Sequence, residues 1–157
     1  MLKKEYDVII IGSGPAGLCA SIYSIRANLS TLVIAGSTPG GQLMLTTDVE
    51  DYPGFPGGIQ GPELMQKMRK QAELLKVDFL NEDVSKTELK DKLKKVIAGK
   101  NEFKSKVVIV ATGSSARWLG LKSEQRLTGH GVSACAVCDG LFLRIKTWLL
   151  LVVEIQL

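Results

Sequence analysis

The sequence predicts an α/β fold, a parallel sheet with crossover helices and a small antiparallel β excursion, and three observations carry that expectation. Asp7–Ile11, Thr31–Ala35 and Lys106–Ala111 are short unbroken runs rich in β-branched residues, the pattern of strands buried on both faces. The first run leads directly into Gly12-Ser-Gly-Pro-Ala-Gly17 and then into an Ala/Leu/Ile-rich segment that reads as a helix to about Arg26. A second helical pattern begins at Pro62, a favourable first-turn residue, with Glu63 near the positive end of the helix dipole.

Strand, helix and strand over residues 7–35 make one βαβ unit, in which the helix must cross back over the sheet. Residues Gly36 to Gly61 contain Pro39, Pro53 and Pro56 among many glycines, the composition of a long ordered loop. In the helix from Pro62, the apolar positions Leu64, Met65, Met68, Ala72 and Leu75 share one face, so the methionines read as core packing. Val77–Leu80 reads as a short strand. Asp83 to Lys106 alternates in the manner of an antiparallel excursion. Beyond Ser115 the chain reads as a linker into a new unit.

The glycine spacing has a chemical meaning. In Gly12-x-Gly14-x-x-Gly17, the first glycine permits the tight turn after the strand. The second lets the backbone approach a pyrophosphate, and the third lets helix and strand pack closely. The helix N-terminus presents unpaired N–H groups and a positive dipole end to phosphates. Position after a strand and before a helix is the context that gives this pattern weight, and it makes the fold Rossmann-like. One element of the fingerprint is absent. The end of the second strand, about 20 residues on, normally carries an acid for the ribose hydroxyls; here it carries Ala35 and Gly36. A generic NAD-dependent dehydrogenase therefore fits poorly.

Cys135-Ala-Val-Cys138 is followed at once by Asp139. Cysteines two residues apart can close a small disulfide ring and exchange it with another dithiol. A neighbouring carboxyl group can shuttle the proton required by the leaving thiolate. Zinc needs a second ligand pair, and only Cys19 and His130 remain. Cys19, within the first helix, reads as a buried core thiol. No metal is expected.

Bulk properties set further bounds. Hydrophobic residues make up 45% and charged residues 23%, an ordinary globular balance. The formal charge of +4 is modest, and much of the excess lies between Lys86 and Lys106, where aromatic residues are scarce. That argues for a solvated face and against a nucleic-acid platform. Met1–Tyr6 is polar and the Val8–Ile11 run enters a glycine turn instead of a cleavage site. The run Trp148–Val153 is too short to span a bilayer. A cytoplasmic protein without membrane attachment is expected.

Five segments together resemble low-molecular-weight, bacterial-type thioredoxin reductases: Gly12-Ser-Gly-Pro-Ala-Gly17, Gly40-Gly-Gln-Leu43, Tyr52-Pro-Gly54, Ala111-Thr-Gly113 and Gly131-Val-Ser-Ala-Cys-Ala-Val-Cys-Asp-Gly140. The last is the most specific, and the likeness covers the chain to about Lys146. It implies an FAD-dependent pyridine nucleotide-disulfide oxidoreductase. NADPH reduces FAD, FAD reduces the CxxC disulfide, and the dithiol reduces thioredoxin or a similar small dithiol protein. Family members are homodimers, and many lack the acid at the second strand. The resemblance implies that Gly12, Ser13, Gly14, Pro15, Ala16 and Gly17 form the FAD pyrophosphate turn, with Gln42, Asp51 and Val84 at other parts of FAD. Cys138 would take electrons from the flavin, Cys135 would attack thioredoxin, and Asp139 would be the acid–base group. Asp51 stands where the family usually has asparagine and lacks the amide donor. His130 occupies a position often filled by arginine and reads as a surface residue.

The expected organisation is 1–115 as the N-terminal segment of an FAD-binding domain, 116–146 as the start of the NADPH and redox-disulfide domain, and 147–157 as an aberrant apolar tail. The fold is thus expected to be incomplete, with the NADPH glycine motif absent. Freely chosen synonymous codons for Trp148–Leu157, read one base earlier, give MVIVGGGNSA, an apolar strand entering G-x-G-x-x-A. This is the expectation of a frameshift near Lys146. Two other readings stand beside it: a flavin disulfide reductase with another dithiol or ferredoxin partner, and a non-enzymatic remnant. Sequencing the coding DNA tests the shift. A glycine motif in the alternate frame is expected, and an error-free in-frame read without one would overturn it.

Overall fold

A computed structural model describes residues 2–135; the predicted Cys138, Asp139 and 147–157 tail lie outside the described residues. Strands β1 (Glu5–Ile11), β2 (Thr31–Ile34), β5 (Asp78–Leu80), β6 (Val84–Glu88), β7 (Lys94–Ala98) and β8 (Asn101–Val110) form one sheet, in the order β5-β2-β1-β8-β7-β6. Pairings β5–β2, β2–β1 and β1–β8 are parallel, whereas β8–β7 and β7–β6 are antiparallel. Helices α1 (Pro15–Arg26) and α2 (Gly61–Leu74) supply the crossovers. Between β2 and α2 lie a 3-10 turn, Gly41–Leu45, and a two-residue pairing of β3 (Asp48–Val49) with β4 (Ile59–Gln60). This is the predicted α/β architecture.

The central strands are apolar throughout because both faces are covered. Val8, Ile10 and Val33 pack with Leu18 and Ile22 of α1 and with Leu64, Met65, Met68 and Ala72 of α2. Ile9, Leu32 and Ile34 face the other way, against Val96, Ala98 and Phe103 of the antiparallel excursion. Ile9, Ile10, Leu32 and Val33 have no exposed surface; each such side chain contributes about 1.5–3 kcal/mol by leaving water. Met65 and Met68 are core, as their spacing predicts. Asn28 closes α1 at φ 61, the left-handed position where asparagine substitutes for glycine.

Three expectations are corrected. The last arm of the excursion and the final strand are one ten-residue strand, β8, which pairs antiparallel with β7 through Ser105 and parallel with β1 through Val110. Its second half is not buried: Val107 and Val110 are exposed, because β7 ends its pairing at Ser105 and, among the described residues, no other strand takes its place. Cys19 is an exposed free thiol, since α1 turns Gly17, Leu18, Ser21 and Ile22 inward and Cys19 outward. The chain divides into two compact units, Met1–Ser114 and a second that begins at Ser115. The second contains a short helix, α3 (Lys122–Leu127), which the sequence did not announce; the Glu124 carboxylate accepts the Leu119, Gly120 and Leu121 amides at its start.

Asp7 joins three strands at one end of the sheet. Its carboxylate accepts from Lys106 Nζ on β8 at 2.7 Å and from the Ser30 amide and hydroxyl, just before β2, at 3.0 and 2.7 Å. The Lys106 bond first, and then the Ser30 bonds, hold its pKa far below the ordinary carboxylate value of 3.8. A depressed folded pKa stabilises the protein above the unfolded value and is lost as pH falls through the folded one. Acid titration of stability should therefore be shallower below about pH 4 in Asp7→Asn than in the parent chain, measured by denaturant unfolding across pH. Equal slopes would contradict this linkage.

Candidate functional site

The turn between β1 and α1 is built around two positions with no room for a side chain. A Cβ on Gly12 would overlap the Ala111 carbonyl oxygen, and the residue already has φ 110. A Cβ on Gly17 would overlap the Gly12 carbonyl oxygen. The Gly12 amide donates to the Ile34 carbonyl at 2.9 Å, and the Ala111 amide donates to the Ile11 carbonyl at 2.8 Å. The ends of β1, β2 and β8 therefore converge on this turn.

Gly14 differs from both. It is the N-cap of α1, with φ −68, and a Cβ there would meet nothing within 4 Å. Its glycine is not required by the protein around it. No side chain caps α1, and no acidic residue lies in its first turn. Among the described residues, neither a side-chain cap nor a first-turn acid balances the positive end of the helix dipole. A helix start of this kind can receive a phosphate-bearing group at the Gly14 and Ala16 amides, Pro15 having no N–H to offer.

A second segment closes on the turn. Ser13 is buried; its hydroxyl donates to the Ala35 carbonyl at 3.3 Å and accepts the Gly40 amide at 3.0 Å. A Cβ on Gly41 (φ 67) would stand 3.4 Å from the Gly14 Cα. Ser13, Gly14 and the Gly40–Gln42 segment, distant in sequence, are thus brought together, with Gln42 exposed in the 3-10 turn. Val84 opens β6 and packs on the second core cluster. Beside it, the Asp83 carboxylate accepts the Ser37 amide at 2.9 Å, and that bond holds its pKa below the ordinary value. Asp51 is exposed in the turn after β3. The roles of Ser37, Gly40 and Asp83 escaped sequence reasoning; a glycine pair following an acid-free second strand was the available signal.

In the second unit, Cys135 is disulfide-bonded, unlike Cys19. Its amide donates to Ser133 Oγ at 2.9 Å, and Ser133 Oγ donates to the Cys135 carbonyl at 3.2 Å. His130 is exposed, as expected. Among the described residues no group of His, Cys, Asp or Glu could hold a metal ion. No helix among them is long and apolar enough to cross a membrane.

Residues 6–153 match the sequence profile of the pyridine nucleotide-disulphide oxidoreductases. A thioredoxin reductase from Rickettsia bellii is 51% identical over 144 residues, covering 91% of this chain and 46% of that protein. One from Mycolicibacterium smegmatis is 52% identical, covering 90% of this chain and 46% of its own length. The crystal structure of thioredoxin reductase from Streptococcus pyogenes superposes with a TM-score of 0.83 at 44% identity, over 91% of this chain and 46% of that one. The chain spans about half the length of the curated relatives it matches.

The contrast among the glycines is measurable. Gly12→Ala and Gly17→Ala should each destabilise the protein by about 1–3 kcal/mol, because backbone must move to admit the methyl group. Chemical denaturation measures the loss, and parent-like stability of either variant would contradict the packing described.

Proposed function

Since this chain belongs to the pyridine nucleotide-disulphide oxidoreductase family, we propose that it carries the flavin-binding and disulfide-exchanging portion of a thioredoxin-disulfide reductase. The supporting observation is the β1–α1 turn, where a glycine that the protein does not itself need stands at an uncapped helix N-terminus. Close identity to thioredoxin reductases supports FAD as the group held there and thioredoxin, or a similar small dithiol protein, as the partner.

FAD, when bound, supplies a two-electron carrier. The Ser13–Ala16 backbone and the start of α1 bind and orient its pyrophosphate, with Gly12 and Gly17 fixing the turn. Gln42, Asp51 and Val84 bind other parts of the cofactor. Asp51 can only accept hydrogen bonds there when ionised, which restricts its partners to donors. Cys135 and Cys138 form the exchanging pair. As a dithiol, the Cys135 thiolate attacks a partner disulfide and forms a mixed disulfide. The Cys138 thiolate then displaces the partner's sulfur, closing the ring and releasing a reduced partner. Asp139 delivers the proton to the departing thiolate. The full enzyme would take its electrons from NADPH, act as a homodimer and reside in the cytoplasm.

Purified full-length chain mixed with FAD should become yellow and retain flavin absorbance through gel filtration. Gly14→Ala should change stability by less than about 1 kcal/mol, as its methyl group enters open space, yet weaken FAD binding at least tenfold. A colourless parent protein, or a variant that binds as tightly as the parent, would overturn the assignment of this turn.

A further inference from the structure

The dinucleotide fingerprint calls for a carboxylate at the end of the second strand, to accept the adenosine ribose hydroxyls. Here β2 ends at Ile34, followed by a buried Ala35 and by Gly36. A carboxylate nevertheless reaches the place. Asp83, from the connection between β5 and β6, accepts the Ser37 amide at 2.9 Å, and a Cβ on Gly36 would stand 3.1 Å from its Oδ1. We propose that Asp83 supplies, from the β5–β6 connection of the same chain, the ribose-binding carboxylate that β2 itself does not carry.

Several features favour a recognition role over simple anchoring. The strand ends are registered with each other: β2 pairs with β5 through Ile34 and Leu80, and the Ala35 amide donates to the Leu80 carbonyl at 2.7 Å. The two chain segments therefore present one continuous edge. Gly36 has φ 79, and a side chain there would be strained as well as crowded by Asp83. An acid at that position would also face a like charge, so the glycine and the displaced carboxylate go together. Asp83 is exposed. An ionised carboxylate has about four acceptor sites, which leaves capacity for two vicinal hydroxyls after the bonds from the Ser37 amide and hydroxyl. The same charge would repel a 2′-phosphate, so this position selects an adenosine with both ribose hydroxyls free.

The proposal rests on the dinucleotide reading of the β1–α1 turn, and competition binding separates the two. FAD binding to the full chain is followed by flavin fluorescence, with ADP and 2′,3′-dideoxy-ADP as displacing nucleotides. Both share the pyrophosphate, and only ADP offers the ribose hydroxyls. In the parent chain ADP should displace FAD about tenfold more effectively, the scale of hydrogen bonds to a charged group. In Asp83→Ala the two nucleotides should become equal within about twofold, through loss of the ADP advantage alone. Asp83→Asn keeps an oxygen for the Ser37 amide and serves if the alanine variant fails to fold; its ADP advantage should fall at least threefold. FAD binding with no ribose preference in the parent, or a preference that survives substitution, would overturn the role of Asp83. Equal weakening of both nucleotides would also overturn it, since that is the signature of a merely structural contact. Failure of the parent to bind FAD would overturn the underlying dinucleotide reading.

Discussion

The close approach of the Gly17 backbone to the Gly12 carbonyl determines how the rest of this unit is arranged. It lets α1 begin immediately after β1 and lie against the sheet, so that Leu18 and Ile22 reach Val8, Ile10 and Val33. A side chain at either glycine would force the helix away from the strand and open the cluster that α1 shares with α2. The same approach aims the N-terminus of α1 beyond the carboxyl ends of the parallel strands β1, β2 and β8, the end at which open α/β sheets bind their ligands. The packing of α1 and the direction of its N-terminus thus depend on one backbone contact.

Around that contact the site is assembled from segments with separate tasks. Ser13 is buried and spends its hydroxyl on the Ala35 carbonyl and the Gly40 amide, so it holds the 36–42 segment instead of facing solvent. Gly41 then fits against Gly14 without a side chain to obstruct the turn. Asp83 fastens the start of the same segment through Ser37. Toward the opposite end of β1, Asp7 links this strand to Ser30, just before β2, and to Lys106 of β8. Polar groups thus fasten both ends of the sheet, Asp7 at one and Ser13 and Asp83 at the other.

The antiparallel excursion is more than a surface hairpin. Val96, Ala98 and Phe103 cover Ile9, Leu32 and Ile34, and without them one face of the parallel strands would be exposed to water. β8 makes this possible by changing partners along its length, antiparallel to β7 and then parallel to β1. The exposed Val107 and Val110 follow from that change, because strand β7 has ended before they are reached.

The sequence by itself determined the elements that depend on local period and backbone chemistry: β1, α1, β2 and the face of α2, with Gly12 and Gly17 at the turn. These follow from neighbours within a few residues, where alternation, helical spacing and the conformational freedom of glycine leave few alternatives. Tertiary structure decided what depends on meetings across the chain. The exposure of Cys19 was fixed by which side of α1 faced the sheet, and its apolar character gave no sign of it. The unity of β8 was concealed by the charged residues Lys104 and Lys106 in a strand with two kinds of neighbour. The carboxylate beside Gly36 was invisible for the same reason: Asp83 lies 46 positions beyond the Ser37 it bonds, and only the β2–β5 pairing brings them together.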